Sequence, residues 1–124
     1  MAKHIITPAD SPDVQVEFEI PRAGKAPLEF TVPRIDYSAD FEKRLADWAG
    51  ERMKVTQDGD GADVVPDPIS DREAIIAQLR IAGNLKAATV KQIETLTNGE
   101  LNQIYGIWTE QSKVTVGESE ASDS

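Results

Sequence analysis

The sequence has no cysteine and a single histidine, His4. Without cysteine there can be no disulfide staples and no thiolate metal site, and the chain fits a reducing compartment. His4 lies in the stretch "MAKHIITPADSPD", and the partners that a His-based triad or metal site would need are not concentrated anywhere in the sequence. It reads as a solvated residue near the chain end. Long apolar runs are also missing. The N-terminus lacks the apolar core of a signal peptide, and no stretch approaches the roughly 18 apolar residues of a membrane span. The expectation is a soluble, cytoplasmic protein with no membrane partner. Positive charge is scarce too: 13 Lys and Arg stand against 22 Asp and Glu, for a formal charge of -9. Such a chain repels a phosphate backbone unless its cations gather on one face, so nucleic acid is not an expected partner. No Gly-rich phosphate loop, nucleophile elbow or paired-carboxylate constellation occurs, so neither an enzyme nor a bound cofactor is expected.

What is present begins with alternation. A length of 124 residues fits one domain with a modest core. In "VQVEFEI", Val14, Val16, Phe18 and Ile20 share one face, with Gln15, Glu17 and Glu19 on the other. "LEFTV" repeats the pattern through Leu28, Phe30 and Val32, and the intervening "PRAGKAP" carries loop residues, which predicts an antiparallel hairpin near residues 13–33. In "SADFEKRLADWAGERMK", Phe41, Leu45, Trp48 and Arg52 recur at helical spacing. Ser38 is placed to cap the helix and Asp40 to pair with Arg44, which predicts an amphipathic helix packed on the hairpin. "VTQDGDGADVVPDPIS" shows no period and reads as a flexible acidic linker over 55–69. The expected division is a front half over 1–54, that linker, a helical region over 70–116, and a disordered acidic tail over 117–124.

The back half repeats one signature, a Ser or Thr followed three residues later by Glu or Gln, which caps a helix start reciprocally. Ser70 with Glu73, Thr89 with Gln92, and Thr97 with Glu100 fit it. The first predicted helix runs from about Asp71 to Ala82, with Ile75, Ile76 and Leu79 inward and Gly83-Asn84 as its stop. The second is short, with Val90, Ile93 and Leu96 inward. The third carries Leu101, Ile104, Tyr105 and Trp108 on one stripe, and Ile107 falls off it. The fold class expected is α+β and mainly helical: a hairpin plus about four short helices.

Two familiar patterns fail on inspection. Counted from Asp58, "DGDGAD" puts Asp63 where a calcium loop needs glycine and Ile69 where it needs the bidentate glutamate. "DREAIIAQLRIAGNLKAATVKQIETL" has the outline of a helix-turn-helix, yet its second helix offers only Lys91 and Gln92, opposed by Glu94. An interaction surface remains. Tyr105 and Trp108 lie on the core stripe, while Ile107, Val114 and Val116 are apolar positions at the edge of a small domain. Ile107, Trp108, Val114 and Val116 form the candidate partner-binding patch.

The hairpin sequence "VEFEIPRAGKAPLEFTVP" and the closing "LTNGELNQIYGIWTEQSKVTVGESEAS" resemble the small tail assembly chaperones of long-tailed phages that infect actinobacteria, most closely over the last thirty or so residues. The resemblance implies a non-catalytic protein that coats the tape measure protein and keeps it soluble while tail tube subunits assemble. It further implies action in the host cytoplasm, absence from the mature virion, and contact with the tail tube protein or with other copies of itself. In that family a longer form arises by ribosomal frameshifting near the end of the short coding region, which would make the acidic, serine-rich end a junction between two products. The rival reading is a stand-alone acidic binder, such as a phage-encoded inhibitor, adaptor or DNA mimic.

Overall fold

The alternating apolar residues build an antiparallel hairpin of β1 (Gln15–Arg22) and β2 (Lys25–Pro33), with Val16 opposite Val32, Phe18 opposite Phe30 and Ile20 opposite Leu28. The structure, a computed structural model, describes residues 4–113; the expected tail over 117–124 lies outside them. Val14, Leu28 and Val32 are almost wholly buried, and the Phe18 and Phe30 rings lie 5.3 Å apart, so one face of the hairpin is spent on the core. Each such side chain contributes roughly 1.5–3 kcal/mol over its exposed state. "PRAGKAP" is more ordered than a loop: the strands run into it and leave only Ala23 and Gly24 at the turn. Gly24 takes φ +69, which a residue without Cβ reaches freely. Pro21, unable to donate to a ladder, sits where the register shifts between Ile20 and Arg22.

Beyond a 3₁₀ turn at Ile35–Tyr37, the described residues form four helices: α1 (Phe41–Arg52), α2 (Asp71–Gly83), α3 (Ala87–Ile93) and α4 (Asn98–Lys113). The fold is α+β and mainly helical. Its centre is α2, which touches β2 as well as α1, α3 and α4. That position explains why Ala77, Ile81 and Ala82 are buried beside Ile75 and Leu79, while Ile76 is only partly covered. A helix packed on several sides needs more than one apolar stripe. Where α2 ends, Gly83 admits a close approach: a Cβ there would lie 2.8 Å from Val32 Cγ1. Asn84 closes the helix in the left-handed conformation, φ 49.

Four sequence expectations are corrected here. First, α1 lies chiefly against α2, and the hairpin is covered by α2 and α4. Second, Ser38 does not cap α1. Asp40 stands at its start with φ 56 and no side-chain capping bond, while Ser38 Oγ donates to the Ala82 carbonyl at 3.4 Å. Asp40 therefore meets Arg44 through its backbone carbonyl, 2.9 Å from the Arg44 amide, and no Asp40–Arg44 ion pair forms among the described residues. Third, Thr89 lies inside α3 and Lys86 precedes that helix without a side-chain cap, because α3 starts soon after the stop at Asn84. Fourth, the 55–69 segment holds a small hairpin, β3 (Thr56–Gln57) paired with β4 (Asp63–Val64). The Asp58 carboxylate accepts from the amides of Asp60 and Ala62 at 2.8 and 3.0 Å, and Gly61 takes φ +80, which closes the turn.

The two remaining capping boxes differ. Thr97 and Glu100 form the reciprocal pair, Thr97 N to Glu100 Oε1 at 2.9 Å and Glu100 N to Thr97 Oγ1 at 3.2 Å. Ser70 caps α2 through the Glu73 amide at 3.1 Å, but the Glu73 side chain turns away to take Arg52 Nη2 at 3.0 Å, tying α1 to α2. Both carboxyls are held below their ordinary value, Glu73 by the Arg52 guanidinium and Glu100 by the Thr97 amide and hydroxyl. A lowered folded-state pKa stabilises above the ordinary carboxylate range and loses that contribution as pH falls through it. We expect the double variant Glu73→Gln, Glu100→Gln to show a flatter fall in Tm than the parent between about pH 5 and pH 2. Parallel curves for the two proteins would contradict this.

Candidate functional site

The surface selected by the sequence lies on the last two turns of α4, whose position follows from its inner stripe. Leu101, Ile104 and Trp108 are buried, and Tyr105 is half-buried with its hydroxyl 3.4 Å from Gln78 Oε1. Trp108 stands with its ring edge-on to Phe41, centroids 6.0 Å apart, and its indole Nε1 donates to the Pro33 carbonyl at 2.8 Å. It therefore joins β2, α1 and α4. At 0% exposure it has no surface to offer a partner, which removes it from the candidate patch and places it in the core.

The end of α4 is fastened to the segment after β2. Arg34, 6% exposed in spite of its charge, donates through Nη2 to the Ser112 carbonyl at 2.8 Å and forks onto Asp36 at 3.2 and 3.3 Å. The Tyr37 ring lies beneath the same guanidinium, 5.8 Å from its carbon. Ser112 Oγ accepts from the Ile35 amide at 2.9 Å and donates to the Trp108 carbonyl at 2.8 Å. Arg34 thus satisfies a carbonyl that the helix end leaves without an intrahelical partner. Neither Arg34 nor Ser112 lies in a periodic or capping pattern, and the one signal legible in the sequence is the close Arg34/Asp36 spacing after a strand end.

An open groove of ≈ 710 Å³ runs beside this clamp, and its lining includes Ile35, Asp36, Phe41, Glu42, Ser112 and Lys113. Ile107 does not line it. It precedes Thr109, a groove residue, by two positions, roughly 200° around the helix. Ile107 is 42% exposed and stands on an otherwise polar face, with Gln103, Glu110 and Gln111 one turn away. Val114 and Val116 lie outside the described residues. Of the four patch residues, then, Ile107 is placed at the surface and Trp108 in the core.

Two other surfaces differ in chemistry. On the outer face of the β1–β2 hairpin, Glu17, Glu19 and Glu29 are all exposed, with Glu19 directly opposite Glu29. A hydrogen bond to Glu19 and the repulsion of its charge raise the Glu29 carboxyl above its ordinary value. The β3–β4 ribbon exposes Val55, Val64 and Val65, with Met53 just before it. Comparison with protein-family models, with curated proteins and with solved structures finds no match to this chain.

Proposed function

We propose that the protein is a small acidic chaperone, the short tail assembly chaperone of a long-tailed phage, acting in the host cytoplasm on the tape measure protein. The observation that carries this reading is the closing segment "LTNGELNQIYGIWTEQSK", where the likeness to that family is strongest and which folds as a capped helix with Leu101, Ile104 and Trp108 buried and Ile107 left outside. An isoleucine held in water on a rigid helix is available to an apolar seam of a client. A formal charge of -9 supports the same role, because complexes carrying it repel one another and stay dispersed.

The test is co-expression with the long helical protein expected from the neighbouring gene. The client should move into the soluble fraction with this protein and stay insoluble without it. Ile107→Asp should weaken capture about tenfold, since a charge driven into an apolar contact loses its water. The variant should leave stability within about 0.5 kcal/mol, as is usual for exposed positions. Equal client solubility with and without the protein would dismiss the chaperone reading. The glutamate face at Glu17, Glu19 and Glu29 favours a second reading, a stand-alone acidic binder or DNA mimic that meets a cationic partner. That reading would then take its place.

A further inference from the structure

We propose that the β3–β4 ribbon is a docking arm for a segment of another protein that carries apolar side chains together with Lys or Arg. Every residue from 53 to 65 is exposed, so the ribbon projects from the core. Four sizeable apolar side chains nevertheless sit on it or at its base: Met53 at 36% exposure, Val55 at 51%, Val64 at 45% and Val65 at 68%. The pairing of Thr56 with Val64 sets Val55 and Val65 at the base of the two strands. Val64 ends β4 and Val65 follows it directly, so with Val55 and Met53 the apolar side chains gather at the base end of the ribbon. Apolar residues grouped on a projecting element mark a contact surface more strongly than isolated ones do.

The charge around the valines selects the occupant. Asp58, Asp60 and Asp63 stand at the turn and on β4, and Asp67 follows, all exposed. Nearby Arg52 is committed to Glu73, which leaves Lys54 as the cation beside the patch. Asp58 directs one carboxylate oxygen at two backbone amides and so holds the turn. A segment bearing Lys or Arg beside its apolar groups meets valines and aspartates together. A second copy of this chain does not fit: it brings the same aspartates and a charge of -9, and four side chains fall short of the roughly 800 Å² per partner of a stable interface. A nucleic acid or an anionic lipid surface meets the same repulsion.

The test uses the full chain and three fluorescein-labelled synthetic peptides of equal length, built from Leu and Lys, Leu and Gln, or Gln and Lys, with binding read by anisotropy. The Leu/Lys peptide should bind at least tenfold more tightly than either of the others. The double variant Val64→Ser, Val65→Ser should lose at least tenfold for it. Asp60→Asn with Asp63→Asn should lose affinity as well, while Ile107→Ser should bind like the parent. Thermal melts of the variants should match the parent, since none of these side chains belongs to the core. The proposal is overturned by absence of Leu/Lys binding, by binding that the valine pair does not affect, or by equal binding of the Gln/Lys peptide, which would be adhesion by charge alone. A dimer of the free chain that disappears in the valine variant would overturn it too, by showing that a second copy covers the ribbon. Failure here leaves the tail-assembly reading intact, because that reading is tested through Ile107 and a different client.

Discussion

Replacing Trp108 with alanine is expected to cost about 3–5 kcal/mol of stability, as for other buried aromatic truncations. Against the roughly 5–15 kcal/mol typical of a whole domain, that is about a fifth of the total or more. The side chain is 0% exposed, edge-on to Phe41 and 6.2 Å from Tyr105, and its N–H is the partner of the Pro33 carbonyl. Trp108→Phe separates these contributions. It keeps most of the apolar contact and removes the donor, leaving the carbonyl to bear a desolvation cost of about 1–3 kcal/mol. Urea denaturation followed by far-UV circular dichroism should rank the proteins parent, Trp108→Phe, Trp108→Ala. A Trp108→Ala midpoint equal to the parent's would mean that this ring is not the bolt between β2 and α4.

Trp108 also shows how far the sequence could be read. Its place on the Leu101, Ile104, Tyr105 stripe was legible, because helical periodicity identifies a buried face without any knowledge of the partner. The same holds for Val14 to Ile20 and for Leu28 to Val32, where alternation fixes the inward face of each strand. Which elements meet was not legible. Periodicity says that Phe41, Leu45 and Trp48 share a face but does not say what that face rests on, and α1 lies on α2 although the hairpin precedes it directly in sequence. The central position of α2 was hidden for the same reason: Ala77 and Ala82 are small, and their burial follows from neighbours that only the tertiary fold supplies.

The capping signatures divide along a similar line. Thr97 with Glu100 formed because nothing competes for either side chain, whereas Glu73 was claimed by Arg52 from another helix. At Thr89 the motif fell inside a helix whose start was set by the preceding turn. The ribbon at 56–64 has the composition of a linker, because aspartate and glycine lack a buriable face. Aspartate also caps backbone amides and glycine permits positive φ, and here those two properties closed a turn. For the candidate site, exposure at Ile107 followed from its angle off the stripe. The pairing of Arg34 with the end of α4 joins residues 78 apart in sequence, a contact that no local pattern encodes.

Leu79→Ala is the second large effect expected, about 2.7–5 kcal/mol, and it bears on how the chain is divided. Leu79 is fully buried on α2, within one continuous core that includes Val16, Phe18 and Phe30 of the hairpin together with Ile93, Leu101 and Trp108 of the later helices. A front half and a back half joined by a linker would respond separately. Removing three carbons from α2 would then loosen the helices and leave the hairpin's amides as protected as before. With a shared core the cavity is felt on both sides, because a lone two-stranded hairpin is marginal in water and depends on the helix that covers it. Native-state amide exchange distinguishes the two cases. Protection at hydrogen-bonded amides of β1 and β2 should fall in Leu79→Ala by the same free energy as protection in α4, and denaturant unfolding should remain a single transition. Unchanged protection in the hairpin beside reduced protection in α4 would establish two units, and the boundary at 55–69 would then divide the fold as well as the sequence.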